Sequence, residues 1–250
     1  MIYKITLAVS KKGSIIPFNY QYPMSCWIYN LIRQSADNQF SDFIHNVGYE
    51  FENKHFKMFS FSNLENFDYD VTKFGLKIKS ETLVFKIGFL SSEVALNVIQ
   101  GLFDQQQLRL GQIFFKVKNV IGFQPKIETE TVKLKTKSPL VIKDYNQTYL
   151  KPTDEGYESI FEKNLRRKYA IAMEKGWLPK IELNQKLAIK LLSKSPKQKG
   201  IKIKHEKNQV IGYEYDFELT APKVLIQTGL LGGFGSGNAQ GFGFCEIMKN

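Results

Sequence analysis

Histidine is the side chain of this sequence best suited to proton transfer, because its ordinary pKa of about 6.5 lies in the neutral range. The 250-residue chain has three histidines and two cysteines. These residues are His45, His55, His205, Cys26 and Cys245. They form no HExxH motif and no cysteine pair at metal-ligand or redox spacing. The sequence therefore predicts no metal centre and no cofactor, and it favours acid–base chemistry.

Glycine is concentrated near the C-terminus, in residues 229–243. Such a cluster indicates either backbone turns at positive φ or a ligand that approaches the main chain closely. Successive bare N–H groups can also form a nest for phosphate oxygens. The run lacks a Gly-Lys-Ser/Thr ending and precedes a strand, which excludes a P-loop and a dinucleotide fingerprint. Two interpretations stay open, namely a bulged hairpin with nothing bound and a cradle for a phosphate polymer.

The formal net charge is +11, and all of the excess falls after residue 70. A basic region of this size attracts polyanions through counterion release. Lysines alternate along one predicted strand and crowd residues 186–207. Two explanations are open for this pattern, a solvated hairpin tip and a continuous basic stripe across the second domain. The lysines that we predict to bind the polyanion are Lys133, Lys135, Lys137, Lys202 and Lys204.

The composition, with 43% hydrophobic and 14% aromatic residues, is that of a globular protein. No apolar run approaches the roughly 20 residues of a membrane span. The first ten residues alternate as a strand does and lack the pattern of a signal peptide. We therefore expect a cytoplasmic protein without a membrane partner.

The first half of the chain reads as one βαββαβ unit. A helix near Pro23 carries the apolar face Met24, Trp27, Ile28, Leu31 and Ile32, with i, i+3, i+4 spacing. A second short helix ends near Gly48, with His45 just off its apolar face. Predicted strands cover 2–9, 55–62, 73–79, 82–90 and 112–121, and a core helix capped by Ser91 or Ser92 precedes the last. This order is that of a ferredoxin-like domain, here 1–122.

The second half repeats that order after a linker at 122–128. The predicted elements are a strand at 129–142, a helix at 153–175, strands at 180–192, 200–205 and 209–219, a helix from Pro222, and a strand at 241–248. The predicted fold class is therefore α+β, with tandem ferredoxin-like (RRM-like) domains that have antiparallel sheets, the second spanning 129–250.

Five motifs resemble those of a known family. They are Tyr20-Gln-Tyr22, Ile28-Tyr29-Asn30, Phe43-Ile-His45, Lys57-Met-Phe-Ser-Phe-Ser62 and the glycine pattern of 235–243. A basic tandem ferredoxin-like chain with this ending resembles the RAMP proteins of CRISPR systems. Within that superfamily it is similar to the CRISPR repeat-processing endoribonucleases, which cut precursor CRISPR RNA within each repeat.

The resemblance implies a catalytic set of Tyr29, His45 and Lys57, with Lys54 as the alternative lysine. It also implies RNA binding by Gly233, Gly235, Gly237, Gly241 and Gly243. Attack by the RNA 2′-hydroxyl needs a base, an acid and a cation but no metal, and these three residue types supply such groups. The implied partner is CRISPR repeat RNA. An interference complex and a homodimer are left open.

Two alternatives remain. Related RAMP proteins are non-cutting subunits of CRISPR interference complexes, and a shared fold does not by itself establish activity. The chain could also be a general single-strand RNA-binding module that stacks bases on Tyr20 and Tyr22. His45 favours the enzyme, because a scaffold would not need a histidine at this position.

Overall fold

The structure is a computed structural model that describes residues 1–202 and 209–248. The first half of the chain forms a five-stranded antiparallel sheet with helices packed on it. Its elements are β1 (Ile2–Val9), β2 (Ile15–Ile16), α1 (Gln21–Ser35), α2 (Asn38–Asp42), β3 (Tyr49–Phe51), β4 (Lys54–Phe56), β5 (Phe59–Phe61), β6 (Tyr69–Thr72), β7 (Gly75–Ile78), β8 (Thr82–Phe89), α3 (Ser92–Asp104), β9 (Gln107–Leu110) and β10 (Ile113–Phe123). The strand order is β5-β8-β1-β10-β9. Without the edge strand β9, this is the order of a ferredoxin-like sheet.

The second half repeats that topology. Its elements are β11 (Thr131–Thr136), α4 (Tyr157–Glu174), β12 (Ala188–Leu191), β13 (Lys197–Lys202), β14 (Gln209–Glu214), β15 (Asp216–Thr220), α5 (Lys223–Gly232) and β16 (Cys245–Ile247). The sheet order β12-β15-β11-β16 corresponds strand for strand to β5-β8-β1-β10, and β13 and β14 form a separate hairpin. The predicted tandem ferredoxin-like fold is confirmed. The domain ranges 1–122 and 129–250 stay a prediction.

Helices α1 and α3 pack against each other through a glycine. The predicted α1 face is confirmed, since Met24, Ile28 and Leu31 are fully buried. A Cβ at Gly101 of α3 would lie 2.4 Å from the Leu31 carbonyl oxygen, so only glycine permits this approach. The Ser91 hydroxyl caps α3 by accepting a hydrogen bond from the Val94 amide.

Within the described residues, no helix has the length and apolar character that crossing a membrane requires.

The two halves share one hydrophobic core. Helix α5 of the second half packs against β5 and β8 of the first. A Cβ at Gly88 on β8 would lie 2.9 Å from the Leu231 carbonyl oxygen of α5, so the helix backbone lies directly on the first sheet. This contact places the segment after α5 beside β5.

Several predictions about elements are wrong in detail. The strand predicted at 55–62 is divided, because Met58 has φ +59° between β4 and β5. Strand β4 instead forms a hairpin with β3. The strand predicted at 180–192 is confined to β12. On the helix predicted as a core helix, Phe103 is 75% exposed. Tyr20, predicted as an exposed base-stacking platform, is buried, and its hydroxyl accepts a hydrogen bond from the Leu64 amide at 3.2 Å.

Candidate active site

Tyr29 lies at the edge of the buried face of α1 and is half-buried. Its ring packs edge-on against Phe59 of β5, with ring centroids 5.7 Å apart. On its other side it meets the ring of His45 at 5.1 Å and an interplanar angle of 74°. Burial, and to a smaller extent Cys26, raises the pKa of Tyr29. The hydroxyl therefore stays protonated at neutral pH and acts as a hydrogen-bond donor.

A turn of π-helix at Phe43–Val47 continues α2 and carries His45. The Gly48 amide closes this turn by donating to the Phe43 carbonyl at 2.6 Å. Ile44 is fully buried and anchors the turn, whereas His45 is exposed. The His45 Nδ1 lies 2.8 Å from the Asn46 side-chain oxygen. Because an amide oxygen only accepts, Nδ1 carries the proton in this contact and Nε2 is the basic nitrogen.

Lys57, between β4 and β5, extends its side chain to the same turn. Its Nζ donates to the His45 carbonyl oxygen at 2.9 Å. Partial burial lowers the pKa of Lys57 to about 8, because desolvation disfavours the ammonium form. A Cβ at Gly48 would lie 2.9 Å from the Lys57 Cδ. The glycine that ends the histidine turn thus leaves room for the lysine.

Tyr29, His45 and Lys57 line one cleft of about 1260 Å³. The glycine-rich loop, which we define as Gly233–Gly243, contributes residues to the same cleft. Those residues are Gly235, Ser236, Gly237, Asn238, Ala239 and Gln240. Residues predicted to cut RNA and residues predicted to bind it are therefore brought together from distant parts of the sequence.

The five predicted RNA-binding glycines are not equivalent. Gly235 and Gly237 line the cleft, although only Gly237 is exposed; Gly233, Gly241 and Gly243 are buried and do not line it. The amides of these three donate to the carbonyls of Gly229, Asn238 and Pro139, so those N–H groups are engaged within the protein. All five have φ between +65° and +92°. Backbone conformation accounts for these glycines, and three of their five amides already have a partner within the protein. RNA binding by the five glycines stays a prediction.

Of the lysines predicted to bind RNA, the four that the structure describes are not among the residues that line the cleft. Lys133 and Lys135 are on the exposed face of β11, and Lys202 ends β13. Lys137 instead donates to Glu65 at 2.9 Å. Burial disfavours its charged form, but the hydrogen bonds and charges of Glu65 and Glu246 together outweigh burial and raise the pKa of Lys137. Lys204 and His205 lie outside the described residues.

The cleft has basic side chains that the sequence interpretation did not single out for RNA binding. They are Arg33, Lys54, Lys143, Lys163 and Arg167. Arg167 also pairs with Glu52 at 2.8 Å. Lys163 and Arg167 are four residues apart on α4, so they lie on one helix face. That spacing was a usable signal, whereas the position of Lys143 in a loop could not be predicted.

Lys168, also on α4, was missed entirely. It is 1% exposed, and its ammonium group donates to the carbonyls of Gly233 at 2.6 Å and Gly235 at 2.8 Å and to Asn238 Oδ1 at 2.6 Å. Burial lowers the pKa of Lys168 to about 7, so the three acceptors are what favour its charged form. Its position seven residues after the buried Phe161 places it on the apolar helix face, a signal visible in the sequence.

His55 is the second histidine of the cleft. It is exposed on β4 and faces Glu50 across the β3–β4 hairpin. No three His, Cys, Asp or Glu side chains cluster as metal ligands within residues 1–202 and 209–248. The His45 imidazole is in contact with the Tyr29 ring, and Lys57 binds the turn that carries His45.

Family models match both halves of the chain. The model described as CRISPR-associated protein Cas6, N-terminal, matches residues 15–121. The model for the C-terminal part of Cas6 matches residues 123–247. The chain belongs to the Cas6 family. The family predicted from the sequence motifs is thereby confirmed.

Individual Cas6 proteins extend this match over the full length. A CRISPR-associated endoribonuclease, Cas6 1 of Methanocaldococcus jannaschii, is 28% identical over 95% of this chain and 89% of its own. A Cas6-related protein of Pyrococcus furiosus has a TM-score of 0.82 at 20% identity, covering 100% of this chain and 99% of its own. A RAMP protein described as binding different RNA substrates has a TM-score of 0.79 at 18% identity, with complete coverage of both chains. The last two show the common fold.

Proposed function

We propose that this chain is an endoribonuclease that cuts precursor CRISPR RNA within its repeats, without a metal ion. Membership of the Cas6 family and the name of the M. jannaschii relative support the substrate and the activity. The observation that carries the proposal is the contact of Tyr29, His45 and Lys57 at the wall of a basic cleft.

The proposed reaction is an internal transesterification. The 2′-oxygen of the RNA bonds to the adjacent phosphorus while His45 Nε2 takes its proton. The bond between phosphorus and the 5′-oxygen breaks, and that oxygen takes a proton from a solvent water molecule; His45 then releases its own proton to the resulting hydroxide. The products are a 2′,3′-cyclic phosphate and a 5′-hydroxyl. Tyr29 donates a hydrogen bond to the departing oxygen, and the Lys57 ammonium stabilises the negative charge of the phosphorane.

We further propose a division of labour between the two domains, 1–122 and 129–250. The first supplies Tyr29, His45 and Lys57. The second supplies the exposed rim of the glycine-rich loop, together with Lys143, Lys163 and Arg167. Lys57 is favoured over Lys54 as the catalytic lysine because its Nζ bonds to the His45 turn. Transfer of the product to an interference complex and a homodimeric state are both compatible with this arrangement.

The test is cleavage of the repeat RNA encoded by the CRISPR array of the source genome, in the presence of EDTA. We expect wild-type protein to cut and His45→Ala to be slower by about 10²–10⁴-fold, the usual contribution of a general acid–base group. His55→Ala is the matched control, because His55 is also exposed in the cleft, and it should cut at nearly the wild-type rate. Rates are measured with protein in excess over labelled RNA.

The same RNA with a 2′-deoxy nucleotide at the cut site should be bound but left intact. Cutting of that substrate would rule out attack by the 2′-hydroxyl. Binding of the normal RNA without cleavage would instead identify a non-catalytic RAMP subunit. Equal rates for His45→Ala and wild type would refute the assignment of the site.

A further inference from the structure

The buried ammonium of Lys168 lies under the glycine-rich loop. An ammonium group has three N–H donors, and the carbonyls of Gly233 and Gly235 and the side chain of Asn238 provide three oxygen acceptors within 2.8 Å. Asn238 in turn donates to the carbonyls of Phe234 and Phe242. Lys168 and Asn238 together therefore make hydrogen bonds to backbone carbonyls from residue 233 at the start of the loop to residue 242 near its end.

Lys168 also contacts the element that leads to Lys57. Its Nζ lies 5.8 Å from the centre of the Phe56 ring on β4. Phe56 precedes Lys57 in the chain, and a Cβ at Gly48 of the histidine turn would lie 2.7 Å from the Phe56 carbonyl oxygen, so the two backbones are close. The buried Lys168 ammonium therefore contacts both the glycine-rich loop and the strand that leads to Lys57 and the histidine turn.

A charge in this position is unusual. Burial of an ammonium costs free energy unless it is fully hydrogen-bonded, and lysine is almost never fully buried. An apolar residue would fit the surrounding core, but it would leave two carbonyls and an amide oxygen without this donor. The arrangement is therefore one in which the loop conformation depends on this one side chain.

We propose that Lys168 is a positioning residue, which holds the glycine-rich loop in the conformation that binds RNA without itself touching the RNA. The inference rests on the proposed function, because it assigns the loop to binding of the same RNA. It predicts that loss of the lysine weakens RNA binding while the chemical step, which depends on Tyr29, His45 and Lys57, is largely preserved.

The experiment compares wild type, Lys168→Met and the control Lys175→Met, which removes an exposed lysine near the end of the same helix. For each protein, cleavage of the repeat RNA is followed at increasing protein concentration. For Lys168→Met we expect the half-saturating concentration to rise about tenfold or more, as for loss of buried charged hydrogen bonds, with a maximal rate within about threefold of wild type. Lys175→Met should match wild type in both.

Hydrogen exchange of the RNA-free proteins provides an independent readout. Amides of 233–243 should exchange faster in Lys168→Met, whereas those of β8 should be unchanged. Lys168→Arg, which keeps the charge and the donors, should restore part of the affinity. Unchanged affinity and exchange in Lys168→Met would overturn the proposal, as would unfolding of both variants, since Lys168 would then be a residue of the core. Failure of wild type to cut would refute the proposed function and leave the loop-exchange result to decide the role of Lys168.

Discussion

Lys57 has a charge that can be removed within an accessible pH range. Partial burial lowers its pKa to about 8, so the ammonium is present below that pH and lost above it. If Lys57 stabilises the phosphorane, cleavage should slow as the pH rises through about 8. Lys57→Arg keeps its charge throughout, so this decline should be absent from its pH–rate profile. Single-turnover rates between pH 6 and 9.5 measure the effect.

Lys54→Ala serves as the control for the alternative lysine, because Lys54 is exposed in the same cleft. We expect its rate to stay within a few-fold of wild type at all pH values. An identical decline near pH 8 in wild type and Lys57→Arg would assign the titration to another group.

The residue types of the site were visible in the sequence, but their contacts were not. The motif resemblance predicted Tyr29, His45 and Lys57, and their catalytic roles stay a prediction. The edge-on packing of Tyr29 on His45 depends on a turn of π-helix, which a period of 3.6 residues cannot indicate. Lys168 could have been noticed as a lysine on an apolar helix face, yet its three acceptors come from a loop 65 to 70 residues away in the chain.

The glycine-rich loop allows conformational strain to be separated from steric overlap. Gly243 has φ +72°, and an added Cβ would lie 1.9 Å from the Phe234 carbonyl oxygen. Gly176 has φ +70° and open space around it. We expect Gly176→Ala to cost about 1 kcal/mol of unfolding free energy, from the backbone alone. Gly243→Ala should cost about 3 kcal/mol or more, because backbone atoms cannot move aside.

Urea unfolding of the two variants measures the difference. Equal losses of unfolding free energy would mean that the loop adjusts to a methyl group and that its tight packing contributes little to stability. A large loss for Gly243→Ala alone would show that its glycine is required by the protein interior, independently of RNA.

The order of elements was predictable because amphipathic helices and alternating strands follow one another in the same order in both halves of the chain. What escaped prediction are the places where local backbone departs from that pattern. Met58 at positive φ divides an apparently continuous strand, although its residues alternate as a strand does. Edge strand β9 and the β3–β4 hairpin were missed, since short strands have too few residues for a period to show.

A ring of alternating charges joins the two halves. Lys86 and Glu65 come from the first half, and Lys137 and Glu246 from the second. The nitrogen–oxygen distances are 2.5 Å for Lys86–Glu246, 2.9 Å for Lys137–Glu65 and 3.7 Å for the two remaining pairs. All four side chains are largely buried, so screening by water is weaker than for surface pairs.

Removal of one lysine from this ring should be destabilising. We expect Lys137→Met to lower the unfolding free energy by about 2 kcal/mol, because Glu65 keeps its charge and loses its nearest partner. Lys135→Met, two residues away on the exposed face of β11, should change it by less than about 0.5 kcal/mol. Urea unfolding tests both. A loss of RNA affinity in Lys137→Met without loss of stability would restore the RNA contact predicted from the sequence.

The proposed cutting residues and the glycine-rich loop of the cleft lie far apart in the chain, and this has a consequence for biosynthesis. Tyr29, His45 and Lys57 leave the ribosome early, and the first sheet can form before the second half exists. The glycine-rich loop follows roughly 180 residues later, which at typical translation rates is about 10 to 35 seconds. During that interval a nascent chain has the proposed cutting residues but lacks the glycine-rich loop of its cleft.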